Sequence, residues 1–118
     1  MEIYKEFSIE AAHSLPNVPE GHKCARLHGH SFKIRLYVEG MPNEESGWII
    51  DYADIARAFE TSRKILDHSH LNEIEGLNNP TSENLAIWVW NRIVSDFPEL
   101  SKVEVQETCT SGCIYQGK

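Results

Sequence analysis

Apolar and polar residues alternate along the first dozen positions of the chain. Ile3, Phe7, Ile9 and Ala11 share one parity, broken only by Lys5, while Glu2, Glu6, Ser8 and Glu10 hold the other. A period of two with one apolar side predicts a half-buried antiparallel strand. His13 continues the apolar parity, so its ring is expected to face inward where that strand ends. Residues 14–27 carry Pro16, Pro19 and Gly21 among few apolar side chains and predict a loop. Alternation then resumes: His28, His30, Phe32, Ile34, Leu36 and Val38 fall on one side, and Ser31, Lys33, Arg35 and Glu39 on the other. Residues 40–47, with Pro42 and Asn43, predict a turn, and Trp48-Ile49-Ile50 the start of a short third strand.

The period changes at Asp51. Ile55, Ala58, Phe59, Ser62, Ile65 and Leu66 follow helical spacing, with Asp51 or Tyr52 at the start. A loop at 76–80 precedes a second helix, capped by Thr81 or Ser82. Its inner side carries Leu85, Val89, Trp90, Ile93, Val94 and Phe97, and Pro98 stops it. Val103, Val105 and Glu107 then alternate with Lys102, Gln106 and Thr108 in a fourth strand. These elements predict an α+β fold: an antiparallel four-stranded sheet with two helices on one face. Without repeats or linkers, residues 1–118 are expected to form one domain. Open sheet edges favour pairing with further copies, so a homo-oligomer is expected.

Composition narrows the classes. The 118 residues are 41% hydrophobic and 25% charged, as in an ordinary globular chain. No apolar run approaches the ~20 residues of a membrane span, and residues 1–6 lack the basic start and apolar core of a signal peptide. Location is therefore expected to be cytoplasmic. Eleven basic against eighteen acidic residues give a net charge of −7, which argues against nucleic acid as a partner because that affinity comes mainly from neutralising phosphates. A small phosphorylated ligand needs only a local basic pocket. The three cysteines are an odd number and are expected to be reduced thiols.

The chemistry gathers near Cys24-Ala25-Arg26-Leu27-His28-Gly29-His30. Residues two apart on a strand share a face, so His28 and His30 project together, and a hairpin of the first two strands brings His13 beside them. Three neutral imidazoles with one open position suit a catalytic zinc. Cys24 has three readings: a fourth ligand closing a structural site, an inert small hydrophobe, or a thiolate activated by the cation and by Lys23 and Arg26. The lack of other cysteines near the histidines favours the thiolate. Cys109 and Cys113 lack the spacing of a redox pair. Asp67-His68, just past the first helix, pairs a carboxylate with an imidazole suited to proton transfer. Glu107 lies on the apolar parity, where an unpaired carboxylate is costly, so it requires a partner or a ligand rich in N–H donors.

Taken in order, His13, His28-Gly29-His30, Leu66-Asp67-His68-Ser69-His70-Leu71-Asn72, Pro80-Thr81-Ser82-Glu83-Asn84 and Glu107-Thr108 resemble the 6-pyruvoyl-tetrahydropterin synthase family. The resemblance spans nearly the whole chain. Residues 21–30 and 107–113 are most similar to its bacterial carboxy-forming branch, with Cys24 four residues before His28 as the distinguishing feature. The resemblance implies a tunnelling fold, a homohexamer with active sites between subunits, and zinc on His13, His28 and His30. It also implies Cys24 as the proton-abstracting base, Asp67 and His68 as a relay, and Glu107 as the anchor of a pterin ring, with Thr108 beside it. The activity implied is conversion of 7,8-dihydroneopterin triphosphate to 6-carboxy-5,6,7,8-tetrahydropterin, with release of acetaldehyde and triphosphate, on the route to queuosine. Lys23 and Arg26 are the candidates for the triphosphate. A pyruvoyl-forming or sepiapterin-cleaving activity is the alternative within the family. A non-catalytic module with a closed four-ligand site including Cys24 is the alternative outside it.

Overall fold

The first alternating run forms β1 (Glu2–His13) and the second β2 (His28–Glu39), in a computed structural model that describes residues 1–118. They pair antiparallel from Glu2 opposite Glu39 to His13 opposite His28. The parity read from the sequence is the parity of burial: Ile9, Ala11 and His13 of β1 and Phe32, Ile34, Leu36 and Val38 of β2 are buried, while Glu2, Glu6, Ser8 and Glu10 are exposed. Asp51 starts α1 (Tyr52–Leu66) by accepting a hydrogen bond from the Ala53 amide at 2.9 Å. Thr81 does the same for α2 (Ser82–Ile93), its Oγ1 accepting from the Asn84 amide at 3.1 Å. Both helices lie on the buried side of the sheet. Ile55, Phe59 and Leu66 of α1 and Leu85, Val89 and Ile93 of α2 join the strand residues in one core. Phe97 is buried as expected, but beyond the end of α2, in the turn that leads to the next strand.

The sheet has five strands rather than four, in the order β3-β1-β2-β4-β5. β3 (Ser69–His70) pairs parallel with β1, and β5 (Ser111–Tyr115) pairs antiparallel with β4 (Leu100–Thr108). The sheet is therefore mixed, with its one parallel pairing at the short β3. Two residues are too few for a period to show, and β5 lies at the edge with Ile114 exposed, so neither strand leaves a strong apolar signature. Gly112 in β5 is required by close approach, because a Cβ there would stand 2.8 Å from the Val105 carbonyl oxygen.

Trp48-Ile49-Ile50 forms no strand. Asn43 folds the preceding segment into a turn, its Oδ1 accepting from the amides of Glu45 and Ser46. Ile49 and Ile50 then pack directly on the core, and Trp48 stays exposed. The sheet face opposite the helices is polar and internally paired. Arg35 contacts Glu6 at 2.9 Å, Lys102 contacts Glu2 at 2.8 Å, and the Tyr37 hydroxyl donates to Glu104. No helix is long and apolar enough to cross a membrane.

Candidate active site

The β1–β2 register fixes the site. His13 faces His28 across the hairpin, and His30 lies two residues further along on the same side. Ring centroids are 4.5 Å apart for His13–His28, 5.2 Å for His13–His30 and 4.8 Å for His28–His30. One ring nitrogen of each falls within 4.8 Å of the other two, an arrangement that could hold a metal ion.

Two of the rings are aimed by backbone carbonyls. His13 Nδ1 lies 2.7 Å from the Pro80 oxygen and His28 Nδ1 2.7 Å from the Arg26 oxygen. A carbonyl only accepts, so in both rings Nδ1 carries the proton and Nε2 keeps its lone pair. His13 Nε2 is fully buried and has no hydrogen-bond partner. It nevertheless faces a carboxylate, with Glu107 Oε1 3.4 Å away and 3.7 Å from His30 Nε2. An orphaned lone pair opposite an anionic oxygen is unfavourable unless a cation lies between them. The residues present therefore fit a metal ion: three imidazoles with at least two Nε2 lone pairs aimed inward, and an acidic neighbour.

Burial pushes the His13 pKa below its usual 6.5, against the Pro80 hydrogen bond that raises it; proximity to His28 lowers it further, Glu107 opposes, and His30 again lowers it. The ring is thus neutral and ligand-ready near pH 7. Because the folded value lies below the unfolded one, the contribution of His13 to stability is fully present above pH 6.5 and is lost as pH falls through the folded value. In metal-free protein the His13 ring protons are expected to titrate below pH 6.5 in NMR spectra, with thermal stability declining over the same interval. A midpoint at or above the ordinary value would refute this account of the ring.

Glu107 sits where the metal corner opens onto the exposed sheet face. Gly29, Ser31, Lys33, Gln106 and Thr108 line a groove there of about 680 Å³ together with Glu107. The other sequence candidates lie at the same end of the sheet; Arg26 touches the corner only through its backbone carbonyl, and His68 lines a surface hollow beside His30. Cys24 is half-buried in a short 3-10 turn, Lys23–Ala25, and is a free thiol outside the convergent donor group. Its amide donates to His22 Nδ1 at 3.0 Å, and its carbonyl accepts from the Leu15 amide at 2.8 Å. Lys23 is exposed, and Arg26 contributes its backbone carbonyl to His28 while its side chain is exposed.

Asp67 and His68 are held at the β1 edge. Asp67 Oδ1 accepts from the Glu10 amide at 2.9 Å, and the His68 amide donates to the Glu10 carbonyl at 2.6 Å. These bonds keep His68 in the left-handed region at φ 56°, a conformation that costs a residue with a side chain about 1–3 kcal/mol. The imidazole is 79% exposed and its Nε2 lies 3.7 Å from Asp67 Oδ2. No hydrogen bond or ion pair links this pair to the three histidines or to Cys24 within one chain. Residue patterns alone did not reveal the carbonyls of Pro80 and Arg26, because a backbone oxygen leaves no signal in residue type.

A mixed sheet backed by two helices, with a histidine corner at one end of its central hairpin, defines a small α+β enzyme scaffold with a metal-competent site. The family model for 6-pyruvoyl tetrahydropterin synthase matches residues 2–118, and the chain belongs to that family. It is 45% identical to the 6-carboxy-5,6,7,8-tetrahydropterin synthase of Synechocystis, over 96% of this chain and 91% of the relative. It is 35% identical to the dihydroneopterin monophosphate aldolase of Pyrococcus furiosus, over 81% and 76% of the two chains. The structure of the 6-pyruvoyl tetrahydropterin synthase of Caenorhabditis elegans superposes with a TM-score of 0.90 at 25% identity, covering 100% of this chain and 96% of that one. The chain is an enzyme of this lyase type.

Proposed function

We propose that the chain is a zinc-dependent 6-carboxy-5,6,7,8-tetrahydropterin synthase acting on 7,8-dihydroneopterin triphosphate in the route to queuosine. The observation that carries this reading is the corner itself: three converging imidazoles, with the orphaned His13 Nε2 facing Glu107, at the mouth of an open groove. The 45% identity to a relative of that name favours the carboxy-forming reaction over the aldolase, whose identity is lower over less of the chain.

His13, His28 and His30 hold the zinc, which supplies Lewis acidity toward hydroxyl groups on the substrate side chain. Glu107 accepts N–H bonds from the amino-pyrimidine edge of the pterin and so fixes the ring in the groove, with Thr108 beside it. Cys24, as thiolate, removes a proton from the side chain. His68, steadied by Asp67, transfers the second proton. His68 is 79% exposed at the β1 edge, and because the family resemblance places active sites between subunits, we assign it to the site of a neighbouring copy in a homo-oligomer, a hexamer by that resemblance. The reaction balances with one water and no external reductant. Ring reduction and loss of triphosphate take up the electrons released as the first side-chain carbon becomes a carboxylate and the other two leave as acetaldehyde. Lys23 and Arg26, both exposed beside Cys24, are the candidates to meet the triphosphate.

The test is incubation with dihydroneopterin triphosphate, with zinc and after chelation, measuring acetaldehyde and the pterin product together by mass. Acetaldehyde and the 6-carboxy product in equal amounts, lost on chelation, are expected. A pyruvoyl product, or a retro-aldol fragment with the monophosphate as substrate, would move the chain to another branch. No turnover with a closed four-ligand site including Cys24 would make it a binding module.

A further inference from the structure

β1 carries His13 at its end, and the chain then turns away into the loop that holds Cys24. What fixes that turning point is a side chain from elsewhere. Asn72 Oδ1 accepts from the Ser14 amide at 2.9 Å, and Asn72 Nδ2 donates to the Ser14 carbonyl at 2.8 Å. Both backbone groups of the residue after His13 are thus satisfied by one carboxamide. The parallel ladder between β1 and β3 ends at Ala12 opposite His70. Beyond it the backbone of Leu71–Glu73 curls into a 3-10 turn, where it no longer offers a strand partner. Asn72 supplies in its side chain the donor and acceptor that a continuing strand would have supplied in its backbone. Leu71, fully buried beside it, ties that turn to the core.

The next residue extends the chain of contacts. The Leu15 amide donates to the Cys24 carbonyl at 2.8 Å, closing the loop on itself, and His22 holds the Cys24 amide. The path from Asn72 through Ser14 therefore reaches His13 on one side and, through Leu15, Cys24 on the other. We propose that Asn72 is a positioning residue that sets the metal ligand His13 and the thiol of Cys24 relative to one another. The inference rests on the proposed roles of those two residues. Among side chains of this size only a carboxamide serves: aspartate would set a second acceptor against the Ser14 carbonyl, and leucine would leave both groups unpaired.

The experiment compares the full-length protein with Asn72→Leu and Asn72→Asp, without the pterin. Cobalt(II) is titrated as a spectroscopic probe of the histidine corner, and iodoacetamide modification of Cys24 is followed by peptide mass spectrometry. Loss of an outer partner that orients a ligand weakens metal binding about 10–100-fold, and both variants are expected to show a weakening of that order with an altered Cys24 alkylation rate. Cobalt affinity and Cys24 alkylation that both match the unsubstituted protein would overturn the proposal. In the unsubstituted protein the Ser14 amide, outside every strand ladder, is expected to exchange with deuterium at least about tenfold more slowly than the free-chain rate. Free-chain exchange there would overturn the proposal even if the variants do not fold. An unsubstituted protein that binds no cobalt would refute the metal reading instead, and Ser14 exchange and Cys24 alkylation would still decide the role of Asn72.

Discussion

Replacing Cys24 with alanine is expected to lower turnover of dihydroneopterin triphosphate by a factor of about 10²–10⁴, the range for losing a general base, while the metal stays bound. The separation of these effects follows from the geometry. The thiol lies outside the group of converging donors, so its loss should not open the metal corner. The Cys24 backbone is fixed by His22 and Leu15, and both bonds survive the substitution because they use the amide and carbonyl. Metal content and acetaldehyde release, measured on the same preparation, distinguish a base from a ligand. Full acetaldehyde release with metal bound would remove Cys24 from the mechanism, and loss of metal would make it a fourth ligand.

Replacing His13 with alanine should act on metal, catalysis and stability at once. The ring is fully buried, packs edge-on against Phe32 and donates to the Pro80 carbonyl. Truncation leaves a cavity and an unpartnered carbonyl, a loss of about 2–5 kcal/mol by analogy with large-to-small core substitutions. Bound metal should fall to background, and acetaldehyde release with it. His30→Ala provides the contrast. His30 is partly exposed at 22%, so its truncation should also remove the metal but lower the melting temperature much less. A His13→Ala protein that keeps metal and turnover would show that the corner is not the catalytic centre.

The long strands and both helices were legible because their periods are long and unbroken. Twelve residues of alternation in each strand are enough to place His13, His28 and His30 on the apolar side. The same parity exposed Glu107 as a carboxylate in an apolar row, and the structure sets it beside His13 and His30. What stayed hidden has short range or no side-chain signal. β3 has two residues, and β5 is a partly exposed edge strand containing Gly112. Trp48-Ile49-Ile50 imitates a strand because three large apolar residues in a row fit one, yet a turn at Asn43 and the helix cap at Asp51 leave it no room to pair. In the site, the residue types of the corner could be read, whereas the orientation of His13 and His28 depends on the carbonyls of Pro80 and Arg26, and the backbone after His13 is held by the side-chain carboxamide of Asn72. Asp67-His68 was visible as a pair, but the backbone clamp from Glu10 that holds it was not.

The dependence of both histidine groups on β1 restricts where the chain can change length. Glu10 of that strand anchors Asp67 and His68, and three residues later His13 enters the metal corner. A single inserted or deleted residue between Met1 and Ile9 leaves Glu10 and His13 in register, at the cost of turning whichever of Ile3 and Phe7 precedes it away from the core. The same change between Glu10 and His13 would turn the imidazole to the opposite face of the sheet and separate it from its two partners. Natural length variation is therefore expected to collect in residues 16–21 and 41–47, where the backbone leaves the ladder and is not tied to the site or the core.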